Sequence, residues 1–211
     1  MNLVKIISGS RALRVADENS DFDSVVIFMP TIEQLSGLER FKHNTQKIVG
    51  NEDTRAYSLP HFARQVLAGN VNFVQALWFP VEYASPIWRE MIEPFRDDLF
   101  DRSRFAASAI HVAHTLIAKG TDKAAASGIA MLLFATNILR KSRELPYSHT
   151  DYQIIQNFRT NGGWIDRKLV EYLEAEIRDS VAVEFDRAKA VRYFTAAMKP
   201  AMRAEPKRES E

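Results

Sequence analysis

No cysteine occurs among the 211 residues, which excludes disulfides, thiolate-bound zinc and cysteine nucleophiles. No apolar run approaches the roughly 18 residues of a membrane span, and the N-terminal apolar stretch is too short for a signal-peptide core. The expectation is a cytoplasmic protein without a membrane partner. Internal repeats are absent, and glycine and proline number only eight each, far below collagenous or low-complexity compositions. There is no excess of one charge either. With 28 Lys and Arg against 27 Asp and Glu the net charge is +1, so no strong global field draws nucleic acid, although a local basic patch remains open.

What is present is ordinary for a globular chain: 46% hydrophobic and 26% charged residues. A chain of this length forms one domain or two small ones and buries a packed core unaided. Two textures divide it. From Leu3 to about Tyr57, short runs rich in Val, Ile and Phe alternate with Gly, Ser, Asn and Pro, the pattern of strands and turns. From Leu59 onward the pattern is helical. Leu59, Phe62, Val66 and Leu67 share a helical face, and Ser85-Pro86 opens a helix carrying Trp88, Met91, Ile92 and Phe95. Longer helices are expected from about Ser103 to Lys119 and from Thr121 or Asp122 to near Arg143, the second with an apolar stretch at Ile129 to Phe134. Gly162-Gly163 separates a short Tyr152 to Phe158 helix from a final pair that begins with Leu169, Leu173 and Ile177 on one face. The expected class is α+β, a small mixed-sheet core over residues 1–100 followed by a helical half over 101–203 and a frayed tail over 204–211.

The chemistry is concentrated near the N-terminus. The apolar run ending at Ile7 leads into Ser8-Gly9-Ser10 and a short helical turn expected over Arg11 to Ala16. Glycine permits close backbone approach, and a helix N-terminus suits phosphate. A few residues later comes Asp21-Phe22-Asp23, running into Ser24-Val25-Val26-Ile27-Phe28. On a strand, positions two apart share a face, so the two carboxylates project together while Phe22 is expected to point into the core. Adjacent carboxylates repel, and the arrangement becomes favourable when divalent cations sit between them and a polyphosphate. Strand, glycine turn, helix and acidic strand together describe a metal-dependent nucleotide site. Either half of the motif alone is common, and the bland reading of the acidic half is a turn leading to a solvated strand start.

Residues 9 to 23 resemble the signature of the DNA polymerase β-like nucleotidyltransferase superfamily, and the string is similar to predicted nucleotidyltransferases of the RlaP/YcgL type, a group linked to RNA repair. Weaker similarity continues through Pro30 to Leu35 and from Tyr57 to Asn70, covering about the first 80 residues. The resemblance implies that Gly9 and Ser10 hold the phosphates of an NTP, with Arg11 adding a charge. It implies that Asp21 and Asp23 coordinate two Mg²⁺, joined by a third carboxylate from a later strand. Asp53 matches that third position best, with Glu52 as competitor, since the strand period lets only one of the two face the site. The implied reaction is attack of an acceptor hydroxyl, an RNA end being one candidate, on the α-phosphate with loss of pyrophosphate.

Three positions depart from the pattern. Arg14 stands where relatives usually have Gly, and Gln75 where a Glu is usual. The segment Lys123 to Ser127 resembles a family helix but keeps only its Lys, without the accompanying His and Arg. These departures support an alternative, a nucleotide-binding or antitoxin-like interaction module with weak chemistry. A third reading, nucleic-acid binding through Arg140, Lys141 and Arg143, competes with a favourable meeting of cations and a helix C-terminus. His111 and His114 have no acidic residue nearby in their helix and read as partly buried polar side chains, and Trp78, Trp88 and Trp164 are too scattered to form a platform.

Overall fold

In a computed structural model, residues 1–16, 18, 20–141, 147–160, 167–181 and 184–203 are described. Strands β1 (Asn2–Ile7), β2 (Phe22–Phe28), β3 (Asn44–Val49), β4 (Glu52–Ser58) and β5 (Val81–Ala84) form one sheet in the order β3-β4-β2-β1-β5. The central pair, β2 with β4, is parallel; the other pairs are antiparallel. The sheet is therefore mixed and the chain is α+β.

The two sheet faces differ in chemistry. Asp23, Val25 and Ile27 alternate with Phe22, Ser24 and Val26 along β2. Over the Asp23 face lie Phe62 of α3 (Leu59–Leu67) and Phe73 of α4 (Val71–Val74), which share a cavity wall with Val25 and Tyr57. Lys5 is on the opposite face, since it pairs in register with Val26, and there it holds Glu52 at 3.4 Å and Glu82 at 3.0 Å. Phe22 goes to that face too. It is 50% exposed, contrary to the expectation of a core position, because the same period that aims Asp23 at the site turns its neighbour away.

Local signals set most helix ends. Thr31 and Gln34 form a reciprocal capping box on α2 (Ile32–Leu35). The hydroxyls of Ser58, Ser85 and Thr121 accept from backbone N–H groups at the starts of α3, α5 (Pro86–Met91) and α7 (Asp122–Arg140). α6 (Arg102–Ile117) is capped by Asp101. The turn after Gly9 is shorter than expected: α1 spans Gly9–Ala12, and Arg14 then takes φ 56°. α7 likewise stops at Arg140, with Lys141 left-handed at φ 53°. Arg143, Gly162-Gly163, Trp164 and the tail lie outside the described residues.

The helical half is organised around α7, whose apolar stretch is buried on every side. α6, α8 (His149–Thr160) and α9 (Arg167–Asp179) pack against it. Gly128 lets α6 come close, since a methyl group there would lie 2.9 Å from the Ala113 carbonyl oxygen. α10 (Arg187–Arg203) returns to α3 and α5, where buried Phe194 meets Phe62 at 6.4 Å between centroids. A single hydrophobic cluster consequently runs from Leu3 in the sheet to Ala197 in the last helix.

Candidate active site

β1 delivers the chain to the site and Ser8 fastens it there, its N–H donating to the Asp23 carbonyl oxygen at 2.9 Å. Gly9 follows at φ +60°, a conformation that favours glycine. The turn is closed by N–H donation from Leu13 to the Gly9 oxygen (3.1 Å) and from Val15 to the Ser10 oxygen (2.8 Å). Arg11 is used differently from the expected phosphate contact. It donates to the Ser20 carbonyl oxygen at 3.0 Å, and its guanidinium lies 4.1 Å from the Phe22 ring centroid. That pins the segment leading to Asp21, and Arg11 lines neither part of the cleft described below.

The carboxylates come together through strand pairing. Asp23 and Asp53 are direct partners in the parallel register of β2 and β4. Asp21 precedes β2 by one residue and shares a cavity wall with Asp23. Burial holds the Asp23 carboxyl above its ordinary pKa, and the negative charges of Asp53 and then Asp21 push in the same direction, against Arg55 and Lys123. Asp53 accepts from the Gln46 side-chain amide at both oxygens, 2.8 and 3.0 Å, and has Arg55 at 3.8 Å. Glu52 points to the other face and its ion pair with Lys5, so of these two acidic residues Asp53 is the one facing the cleft.

The cleft has two lobes that share Gly9, Asp23, Asn72 and Gln75. One, about 460 Å³, adds Ser10, Asp21, Lys123 and Ser127 over an apolar floor that includes Met131. Here the first turn of α7 faces the Gly9-Ser10 turn, so a helix N-terminus and the Lys123 ammonium supply positive potential opposite two carboxylates. The other lobe, about 340 Å³, adds Asp53, Arg55, Tyr57, Phe62 and Phe73. Sequence reasoning missed Asn72, Ser127, Arg55, Tyr57 and Phe73 as site residues. Alternation along β4 was the available signal for Arg55 and Tyr57, which share the face of Asp53.

The departures noted in the sequence have definite places. Gln75 borders both lobes, and its Oε1 is buried without a hydrogen-bond partner. Lys123 reaches the cleft although the family pattern around it is incomplete. Arg14 adopts a left-handed turn in which glycine is unstrained. His111 and His114 line neither lobe: His114 bonds Glu174 of α9 at 2.5 Å, and both residues are exposed rather than partly buried as expected.

Among the described residues, no group of three or more His, Asp or Glu is gathered tightly enough to hold a metal ion. The donor set nevertheless suits a hard divalent cation, being carboxylate oxygens, with those of Asp53 held by the side-chain amide of Gln46. No helix among the described residues is long and apolar enough to cross a membrane. No curated protein matches the chain. The family model described as RlaP, RNA repair pathway DNA polymerase beta family, matches residues 3–128, the segment that contributes every wall of the cleft except Met131, and the chain belongs to that family.

Proposed function

We propose that this chain is a metal-dependent nucleotidyltransferase that moves an NMP from an NTP to a hydroxyl acceptor, an RNA end. The observation that carries the reading is that Asp21 and Asp53 each share a lobe of one cleft with Asp23 and act on its charge, beside a glycine turn and a helix N-terminus. Asp21, Asp23 and Asp53 would hold two Mg²⁺, which when bound neutralise the polyphosphate and lower the pKa of a coordinated hydroxyl. Ser10 and the backbone at Gly9 receive the β- and γ-phosphates, and Lys123 meets their charge from across the lobe. Asp53, in the neighbouring lobe, accepts the proton of the acceptor hydroxyl. The acceptor oxygen forms its bond to the α-phosphorus as the bond to the bridging oxygen breaks, and pyrophosphate leaves on the Lys123 side.

Gln75 favours a second reading, a nucleotide-binding module with weak chemistry, because a neutral amide stands at the junction of the lobes where the family pattern has a carboxylate. Pyrophosphate release from labelled NTP with Mg²⁺, scanned over RNA, DNA and protein acceptors, separates the two. Turnover that falls about 10³-fold in Asp23→Asn supports the enzyme. NTP binding without turnover for any acceptor supports the module. Lys123→Met is expected to weaken NTP binding by about tenfold, the loss of one charge-assisted contact.

A further inference from the structure

The lobe beside Asp53 is walled by Tyr57, Phe62 and Phe73, and a run of rings continues from Tyr57 outside the lining of the lobe. His43, His61 and Tyr57 form a near-parallel series, with centroid steps of 6.4 and 5.7 Å and interplanar angles of 26° and 9°. Phe73 meets Tyr57 at 4.9 Å, edge to face. Phe62 behind them is fully buried, whereas Tyr57, His61 and Phe73 are partly open. Two hydrogen bonds fix the His end: His43 Nδ1 lies 2.8 Å from Ser58 Oγ, and the same Oγ accepts the His61 N–H at 3.4 Å. Burial and the nearby Arg64 and His43 hold the His61 imidazole below its ordinary pKa, so it stacks as a neutral ring.

Positive charge lies beside these rings. Arg55 lines the lobe and is exposed, and its 3.8 Å contact with Asp53 leaves guanidinium donors free to face a phosphate. Arg64, also exposed, is close enough to act on His61. A cavity of about 340 Å³ falls within the roughly 300–1,000 Å³ of small-ligand sites. Aromatic faces beside guanidinium groups are the combination that binds single-stranded nucleic acid, because every base has a π-face and every linkage a phosphate.

We infer that this lobe takes the terminal nucleoside of a single-stranded nucleic-acid acceptor, its base packed against the Tyr57 and Phe73 rings and its adjoining phosphate met by Arg55. The inference rests on the nucleotidyltransferase reading, since it is the position of Asp53 that makes this the acceptor side. Tyr57 and Phe73 are thereby positioning residues for the acceptor, and the NTP belongs to the lobe of Ser10 and Lys123.

The test is equilibrium binding to the full chain of a 5′-fluorescein single-stranded octaribonucleotide, by fluorescence anisotropy in EDTA, alongside NTP binding measured with Mg²⁺. Tyr57→Ala and Phe73→Ala are expected to weaken the oligonucleotide about 5- to 100-fold, the range for losing one stacked base, while NTP affinity stays within twofold. Tyr57→Trp should restore binding, and Tyr57→Leu, which keeps an apolar side chain without a π-face, should not. Arg55→Gln should weaken binding and flatten its salt dependence. Oligonucleotide affinity unchanged in the Tyr57 variants overturns the inference, as does a loss confined to NTP. An unmodified chain that binds no oligonucleotide, including one that instead accepts a peptide hydroxyl, overturns it too. Failure of the underlying reading registers separately, as absence of NMP transfer from NTP with Mg²⁺.

Discussion

The Asp23 carboxylate fills the space that any side chain on Gly9 would need: a methyl group there would lie 1.9 Å from Asp23 Oδ2. The residue that starts the glycine turn and the residue at the centre of the acidic group are thus fitted to each other across 14 positions of sequence.

Gly9→Ala should therefore damage site and fold together. It adds a left-handed strain at φ +60° to a steric clash, and the sum is about 2–4 kcal/mol of lost stability. Urea denaturation reads that loss, and NTP binding is expected to fall at least tenfold in whatever fraction remains folded.

Asp23→Asn separates chemistry from stability. The folded-state pKa of Asp23 is raised above its ordinary 3.8, so the folded chain holds this proton more tightly than the unfolded one. Its contribution to stability is greatest below 3.8 and is lost as pH rises through the folded value. An amide carries no such loss, and the metal-free thermal midpoint of Asp23→Asn at neutral pH should equal or exceed that of the parent. Divalent-cation affinity should rise with pH over the same interval in the parent only, as titration with Mn²⁺ would read.

His61 has the opposite sign. Its pKa lies below the ordinary 6.5 because of burial and then the charges of Arg64 and His43, so the unfolded chain binds the proton more readily. The stabilising contribution is present above 6.5 and is lost as pH falls through the folded value. Denaturation midpoints compared at mildly alkaline and mildly acidic pH should fall further in the parent than in His61→Phe, which retains a ring beside Tyr57 without a titrating nitrogen.

Arg14→Gly should stabilise. At φ 56° an ordinary side chain is strained by roughly 1–2 kcal/mol, and the greater freedom of glycine in the unfolded chain returns part of that, leaving about 0.5–1 kcal/mol. The carbonyl oxygen of Arg14 keeps its bond from Gln156 Nε2 (2.9 Å) because only backbone is involved. A higher urea midpoint with unchanged NTP binding is the expected result.

Local rules carried the reading a long way. The helix starts at Ser85 and Thr121, the glycine turn after β1, the acidic start of β2 and the apolar body of α7 are legible because each depends on a few neighbouring residues. The strand period also established that only one of Glu52 and Asp53 faces the cleft. Which one it is depended on tertiary structure: the parallel register with β2, Gln46 reaching from β3, and Lys5 claiming Glu52 on the far face. The same holds for Phe22, whose alternation with Asp23 was visible but whose exposed side was decided by where the helices lie. Lys123 and Phe73 join the site only because the packing of whole helices brings α7 and α4 to the cleft, and His114 finds Glu174 only because α9 packs beside α6. A sequence specifies local conformation through short-range sterics and hydrogen bonds, but which distant side chains share a cavity is set by the packing of whole elements against one another.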